Sequence, residues 1–361
     1  MTIAAMLLMA SCSADDAAKG EAPSLQHQTI AFSVSEAATR TAPNTLTLDG
    51  SGSNEQSLKT EGFGVFSSHT GLHPYVSSTT RSDLMWNQQV AYNTTKSIWD
   101  YNPIVYWPNT DEEMPDYVTF FAYAPYSDGS SDAASACIID FSLPGETGDP
   151  WLVYQLGGTT SADGANGWKA RQVDLLYDIQ KDQQRPYPPT ASKVTFQFRH
   201  ALACVGDRIT LTCSDELQTR LKELSASTGS TVTLTLDRLA LDYELTSKAQ
   251  LVLNGTSSPN WKPVVSGETM VHRYLIIDPE QVIATATSAS DCALTDYAVN
   301  NQGIFYIPLE LGGNSQKLTV RAFYTVSTGD QGKVESTVTL NSVAEAGNGR
   351  NLNLTLSIPD L

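Results

Sequence analysis

The sequence predicts an all-β protein made of two tandem β-sandwich domains, with one short helix in the second. Short runs of β-branched and aromatic residues recur along the chain, separated by clusters of Gly, Pro, Asn and Asp. Such runs are typical of strands, and their regular recurrence favours sandwiches over alternating βαβ units. The 361 residues suffice for two ordinary domains, and a hydrophobic content of 41% supports substantial cores.

An aromatic stretch at residues 83–128 carries the strongest strand signal. Two β-branched and aromatic runs, residues 104–107 and 117–124, flank an acidic loop that contains Pro108 and Pro115. Aromatic side chains bury large areas. We therefore predict that the two runs form a hairpin that anchors the core of the first domain.

The N-terminus reads as a targeting signal. Residues 2–10 are apolar but too few to span a bilayer, and small residues precede Cys12, which predicts a signal peptide over residues 1–11. The motif resembles a bacterial lipobox, in which the cysteine is lipidated, so residues 12–26 are expected to form a lipidated tether. An ordinary cleaved signal with a coincidental cysteine is the alternative.

A half-buried strand is predicted directly after the tether, at residues 27–35. Polar and apolar residues alternate there, and a small-residue loop with a lone basic residue, Arg40, follows before Thr41. An exposed Arg in such a loop suits a trypsin-like protease, although a simple exposed loop residue explains it equally well. The residues predicted to share the buried face of this strand are Ile30, Phe32 and Val34.

A polar segment with three prolines predicts the domain boundary. It gives a first domain over residues 27–182, a linker over residues 183–191 and a second domain over residues 192–361. In the second domain, residues 214–229 predict a helix, because Ser214 can cap its start and a glycine ends it. The strands predicted around that helix are residues 194–198, 231–236, 243–245, 250–253, 274–277, 304–307, 317–326, 333–340 and 351–358.

The sequence contains no catalytic or cofactor-binding signature. It has no G-x-S-x-G, H-E-x-x-H, P-loop or G-x-G-x-x-G motif, so we expect no enzyme, no cofactor and no metal site. The formal net charge of −17 argues against nucleic-acid binding, because the chain repels phosphate backbones. His200 is expected to bond to the backbone and not to act in catalysis.

Four cysteines follow the one in the lipobox, and none lies in a C-x-x-C pair. Cys204 and Cys213 lie at opposite ends of one predicted strand, roughly 30 Å apart, too far for a disulfide. We expect buried free thiols at Cys137, Cys204, Cys213 and Cys292, and a disulfide between distant segments stays open.

The aromatic stretch resembles the fimbrillin-like lipoproteins, which are subunits of the type V pilus and its relatives. The resemblance rests on Trp99-Asp100-Tyr101, on Tyr106-Trp107-Pro108 and on the run FFAYAP at residues 120–125. Further similar motifs are DLLY at residues 174–177 and HALA at residues 200–203.

This resemblance implies transthyretin-like domains and a structural or adhesive subunit of a fimbria, whether stalk, tip or accessory. The subunit would be exported as a lipoprotein to the outer membrane and cell surface, with the membrane contacted through the lipid on Cys12. Cleavage after Arg40 would remove the first strand, and a strand of another pilus subunit would replace it by β-augmentation. A host protein or glycan is a further implied partner.

One departure from the family concerns the C-terminus, because the chain ends directly after the strand predicted at residues 351–358. This puts donation of a C-terminal strand in doubt. The alternative function is that of a monomeric surface lipoprotein that binds glycans through exposed aromatic side chains. The residues predicted to stack on sugars are Trp151, Trp168 and Trp261.

Overall fold

The protein consists mainly of β-strands, as the sequence predicts. The computed structural model describes residues 28–35, 45–50, 55–108, 114–130, 137–157, 172–186, 193–255, 258–264, 270–309, 316–328, 331–341 and 351–358. The elements of the first half are β1 (Phe32–Ser35), β2 (Thr45–Thr47), β3 (Glu55–Ser57), α1 (Leu58–Glu61), β4 (Phe63–Gly71), β5 (Met85–Asn93), β6 (Ile98–Asp100), β7 (Tyr117–Ala124), β8 (Ile138–Phe141), β9 (Trp151–Gln155), β10 (Leu176–Gln184), β11 (Val194–Gln197) and β12 (Arg199–His200). Those of the second half are β13 (Ala203–Cys213), α2 (Asp215–Thr228), β14 (Val232–Thr246), β15 (Lys248–Val252), β16 (Asn260–Lys262), β17 (Met270–Ile277), β18 (Gln281–Ala286), β19 (Cys292–Leu294), β20 (Tyr297–Asn300), β21 (Ile304–Tyr306), β22 (Lys317–Ser327), β23 (Gln331–Asn341) and β24 (Asn351–Ile358).

Strand β7 lies inside the main sheet of the first half, a six-stranded sheet with the order β12-β10-β7-β4-β5-β6. It pairs antiparallel with β10 on one side and β4 on the other. Its residues from Val118 to Ala124 are all buried, so both faces of the strand contact apolar surroundings. A run of aromatic and β-branched residues suits a strand that is covered on both faces.

The predicted hairpin between residues 104–107 and β7 is wrong. The partners of β7 are β10 and β4, so both of its edges are occupied. Residues 104–107 pair instead with the segment before β1, through a bridge between Tyr106 and Thr29. This pairing suits their alternation, because Trp107 is buried while Ile104 and Tyr106 are exposed.

Strand β14 dominates the second half. It runs antiparallel to β22 from Thr233↔Ser327 to Glu244↔Lys317, and its other edge holds β18 and then β17. The sequence predicted two strands here because Asp237 and Arg238 interrupt the apolar alternation. The structure shows one strand, because the register shift between Leu236 and Arg238 is a bulge that lets the ladder continue.

Helix α2 confirms its prediction. The Ser214 hydroxyl accepts a hydrogen bond from the Leu217 amide at 3.1 Å, and Gly229 ends the helix in the left-handed conformation with φ of 66°. Leu217 and Leu221 are buried on one face. The one-turn helix α1, whose four residues carry too little periodicity to be recognised, was not predicted.

Strands from the two sides of the predicted boundary at residues 183–191 pair with each other. Strand β10 extends into the predicted linker, and the strands after it, β11 and β12, pair with β1 and β10. A further sheet has the order β16-β15-β9-β8, so it joins strands of both halves. Backbone hydrogen bonds of the first half are therefore completed by residues beyond the linker. The division into two domains stays a prediction.

None of the four described cysteines forms a disulfide, and two of them are more exposed than predicted. Cys137 and Cys204 are buried, and burial raises the pKa of the Cys137 thiol to about 11. Cys213 and Cys292 are only partly buried. Cys204 and Cys213 lie on β13, as expected, so they are not a disulfide pair.

Candidate functional site: the first-strand groove

The segment Gln28–Ser35 lies between two backbone neighbours, and we call the space it fills the first-strand groove. On one side the Ile30 amide donates to the Val105 carbonyl at 3.0 Å, and the Trp107 amide donates to the Gln28 carbonyl at 3.0 Å. On the other side β1 runs parallel to β11, and the Val194 amide donates to the Ala31 carbonyl at 2.8 Å. The segment thus completes two ladders that are otherwise open at this position.

Side chains of the segment fill the apolar core beneath it. The structure brings together the three predicted residues, with Ile30 0% and Phe32 1% exposed and Val34 half-buried against the same core. This alternation follows from the strand conformation, which sends every second side chain inward. The intervening Ser33 faces the other way, and its hydroxyl lies 2.7 Å from that of Thr195.

Phe32 occupies a cage of four aromatic rings. Its ring centroid lies 6.3 Å from that of Phe63 and 5.5 Å from that of Tyr101. The Phe120 centroid lies 5.7 Å away in an edge contact, and the Phe196 centroid lies 5.6 Å away in a stacked one. These separations are within the range in which aromatic pairs attract each other beyond simple area burial.

Tyr101 contributes a polar contact at the floor of the groove. Its hydroxyl donates to the Ile30 carbonyl at 2.7 Å and also lies 3.2 Å from the Val105 carbonyl. Burial raises the pKa of Tyr101 to about 12, and the negative charge of Asp100 adds to the increase. The hydroxyl therefore stays protonated at neutral pH and holds the backbone of the first segment.

The strand that follows in sequence, β2, is fastened by a different set of contacts. The Leu46 amide donates to Asp174 Oδ2 at 3.2 Å, and Asp174 Oδ1 accepts from the Leu175 amide at 3.0 Å. His200 Nδ1 lies 2.7 Å from Asp174 Oδ2, and both side chains are buried. His200 thus contacts a buried carboxylate, and its predicted backbone bond stays a prediction. This arrangement binds β2 to the body of the sheet independently of β1.

Several predicted site residues lie outside the described residues. These are the lipidation residue Cys12, the cleavage residues Arg40 and Thr41, and one of the tryptophans, Trp168.

The remaining two tryptophans are less exposed than the glycan alternative requires. The expectation of an exposed Trp261 is wrong: it pairs with Leu251 in a ladder, is 8% exposed and donates its indole N–H to the Ala201 carbonyl at 3.0 Å. The strand pairing turns its ring toward the core, where it packs against Tyr154. Trp151 is half-buried at the start of β9.

The groove residues that sequence analysis missed are Tyr101, Phe63 and Phe196. The alternation of residues 194–198 was recognised, but it gives no indication that this strand would pair with β1. Within the described ranges, no cluster of three or more His, Cys, Asp or Glu side chains could hold a metal ion. Neither described helix has the length and apolar character needed to cross a membrane. What the groove can do is hold an extended strand.

Comparison with known proteins gives a family match over most of the chain. The family described as fimbrillin-like matches residues 54–358. No curated protein matches the sequence.

Solved structures similar to this chain come from Bacteroides and Porphyromonas species. A candidate cell adhesion protein from Bacteroides uniformis is 12% identical, with 94% of each chain covered and a TM-score of 0.41. One from Bacteroides ovatus is 14% identical, with 88% of this chain and 87% of that chain covered and a TM-score of 0.38. The fimbrial anchor protein Mfa2 from Porphyromonas gingivalis is 10% identical, with 86% of this chain and 82% of that chain covered and a TM-score of 0.29.

Proposed function

Because the chain belongs to the fimbrillin-like family, we propose that it is a subunit of a type V-like fimbria that assembles by strand exchange after proteolysis. A fimbrillin-like protein is a cell-surface component of the fimbrium and not an enzyme. The proposal concerns how this subunit is exported, activated and joined to its neighbours. Its partners are other pilus subunits.

The observation that carries the proposal is the first strand itself. Residues 28–35 contribute two fully buried side chains, Ile30 and Phe32, but their backbone is held by short ladders. Such a strand can be removed without breaking up a neighbouring strand. Its removal would leave unpaired backbone groups and an open apolar groove, which favour the entry of another strand.

Cleavage after Arg40 would separate the removable strand from the part that stays. Arg40 lies between β1 and β2, and β2 is held to the body by Asp174. A cut there would leave β1 attached by non-covalent contacts alone, while the new N-terminus at Thr41 would lead into a fastened strand. The position of the basic residue and the separate fastening of the two strands support this order of events.

The energetic cost of losing the strand is large enough to drive assembly. Burial of each large apolar side chain contributes about 1.5–3 kcal/mol, so loss of Ile30 and Phe32 removes several kcal/mol. A typical domain has a stability of only about 5–15 kcal/mol. The cleaved subunit would therefore be stabilised substantially by a replacement strand.

Limited trypsin digestion tests the proposal. We expect cleavage at Arg40 before the Lys and Arg residues within strands, because exposed loops are cut without global unfolding. The cleaved protein should melt at a lower temperature once the first strand has left, while Arg40→Ala protein, treated identically, should keep its melting temperature. A cleaved chain that remains monomeric with an unchanged melting temperature would show that the first strand is dispensable.

Lipid anchoring through Cys12 is a separate part of the proposal. The apolar run that ends at this cysteine supports it. In cells, Cys12→Ala protein should appear in the soluble fraction, while a matched Ser13→Ala variant should remain with the membranes. Membrane association of the Cys12→Ala protein would contradict lipidation.

A further inference from the structure

Any strand that enters the first-strand groove must place a side chain at the position of Phe32, which is more closely enclosed than the positions of Ser33 and Val34. Its ring contacts four other rings, and its side chain is 1% exposed. By contrast, Val34 is only half-buried and Ser33 faces away toward Thr195. An entering strand that lacked an aromatic residue at this position would leave unfilled space among these rings.

The cage is fixed by parts of the protein that do not leave with the strand. Phe63 contacts Phe196 at 5.6 Å and Phe198 at 5.5 Å, so the rings also support one another. Phe120 belongs to the buried strand β7, whose two edges are both paired. The shape of the cage therefore persists from one occupant to the next.

The C-terminal strand of this chain does not match that shape. β24 has the sequence NLNLTLSI, with leucines at alternate positions and no aromatic residue. Its backbone is also already paired, because it runs parallel to β13 from Cys204↔Asn351 to Cys213↔Ile358. A second copy that donated β24 would have to give up this ladder and would offer only Leu at the aromatic position.

We infer that the first-strand groove takes a strand from a different fimbrial subunit, one that carries an aromatic residue at the position of Phe32. This inference rests on the proposed function and specifies its partner. The aromatic ring supplies the specificity, because the backbone ladders on both sides accept any extended chain.

Peptide exchange into the cleaved, full-length protein tests the inference. The probe is a fluorescent peptide of residues 28–35, QTIAFSVS, and its binding is followed by anisotropy. A peptide with Phe32→Ala should bind at least about 100-fold more weakly, because a large aromatic side chain is lost from a buried site. A Phe32→Leu peptide should bind about tenfold more weakly, because it stays apolar but loses the ring contacts. Thr29→Ala is the matched control and should bind within about twofold of the original, because the Thr29 side chain is exposed.

A peptide of residues 351–358, NLNLTLSI, tests whether the partner is a second copy. It should compete at least about tenfold more weakly than QTIAFSVS, by the same loss of ring contacts. Equal binding of the C-terminal peptide, or of the Phe32→Leu peptide, would overturn the inference while leaving strand exchange intact. Failure of QTIAFSVS itself to bind would instead overturn strand exchange, and the inference with it.

Discussion

Strands β1 and β14 each carry side chains that are almost fully buried, but they are held in very different ways. Phe32 in β1 and Leu241 in β14 are each 1% exposed. β1 has 4 residues and a parallel ladder to β11, whereas β14 has 15 residues with antiparallel ladders along both edges. Parallel pairing is slightly less stable per residue, and short ladders open more easily.

This contrast separates the burial of a side chain from the number of backbone hydrogen bonds that hold its strand. A side chain can contribute fully to the core while the strand that carries it depends on few backbone bonds. Removal of β14 would leave β17, β18 and β22 without their partner, so no local event can release it. Removal of β1 would leave β11 as the strand that loses its ladder. Under the proposed strand exchange, β1 is the strand that is replaced and β14 is one that stays.

The largest expected effect comes from Phe32→Ala in the uncleaved protein. It should lower the free energy of unfolding by about 3–5 kcal/mol, as large-to-small changes at buried aromatic positions do. Once the first strand has been cleaved and removed, the same substitution should have no effect on the remaining body. Denaturant unfolding of both forms measures the difference, and an unchanged uncleaved protein would contradict the buried position of Phe32.

Leu241→Ala is the matched change in the permanent strand. It should lower the free energy of unfolding by about 2–5 kcal/mol. The decrease should be the same before and after cleavage, because β14 stays in place. A cost that disappears on cleavage would mean that the two strands are not independent. The same denaturant measurements report it.

Asp174→Asn tests whether β2 is fastened separately from β1. The carboxylate accepts from the Leu46 amide and contacts His200, so its neutralisation should cost about 1.5–3 kcal/mol, the range for bonds to charged groups. Hydrogen exchange should become faster at the Leu46 amide but not at the Ile30 amide, which donates to Val105 instead. Equal acceleration at both amides would show that the two strands open together.

Sequence reasoning succeeded where the signal is local. Helix α2 is marked by its own cap, apolar face and terminal glycine, and β7 by an unbroken β-rich run. It failed where the partner lies far along the chain. Residues 104–107 were paired with the nearest β-rich run, but they pair with residues 28–30, about 75 positions earlier.

The same limit applies to the candidate site. The alternation of Ile30, Phe32 and Val34 is visible in the sequence, because a strand has a period of two. Tyr101 and Phe196 join them only through the tertiary fold, and neither has a neighbouring motif that marks it. The pairing of β11 with β1 shows the same limit, since the sequence pattern of β11 suits a strand of either half.

Ser214→Ala probes the second half without touching the groove. Loss of the helix cap should cost about 1 kcal/mol, within a range of about 0.5–2 kcal/mol. The rate of trypsin cleavage at Arg40 and the binding of the QTIAFSVS peptide should stay unchanged. Thermal unfolding measures the cost, and a change in peptide binding would show coupling between helix α2 and the groove.

The smallest expected effect is that of Tyr101→Phe, which removes one hydroxyl from beneath the first strand. The lost bond to the Ile30 carbonyl should cost about 0.5–1.5 kcal/mol at neutral pH. Because the pKa of Tyr101 is about 12 in the folded protein and a tyrosine titrates near about 10 when unfolded, the folded state holds its proton more tightly. The contribution is therefore complete below about pH 10 and declines as the pH rises toward about 12.

Comparison of the wild type with Tyr101→Phe isolates this group from the other buried tyrosines, which titrate in both proteins. The difference in unfolding free energy should shrink or reverse between about pH 10 and 12, because only the wild type gains from ionising the unfolded chain. The same residue reports on the state of the groove. With the first strand in place, tyrosinate absorbance of Tyr101 should rise near pH 12. When the strand has left and water reaches the hydroxyl, it should rise closer to about pH 10, and entry of a replacement strand should restore the higher value. A titration that is identical before and after release would mean that Tyr101 stays buried and that the groove closes instead of remaining open for a partner.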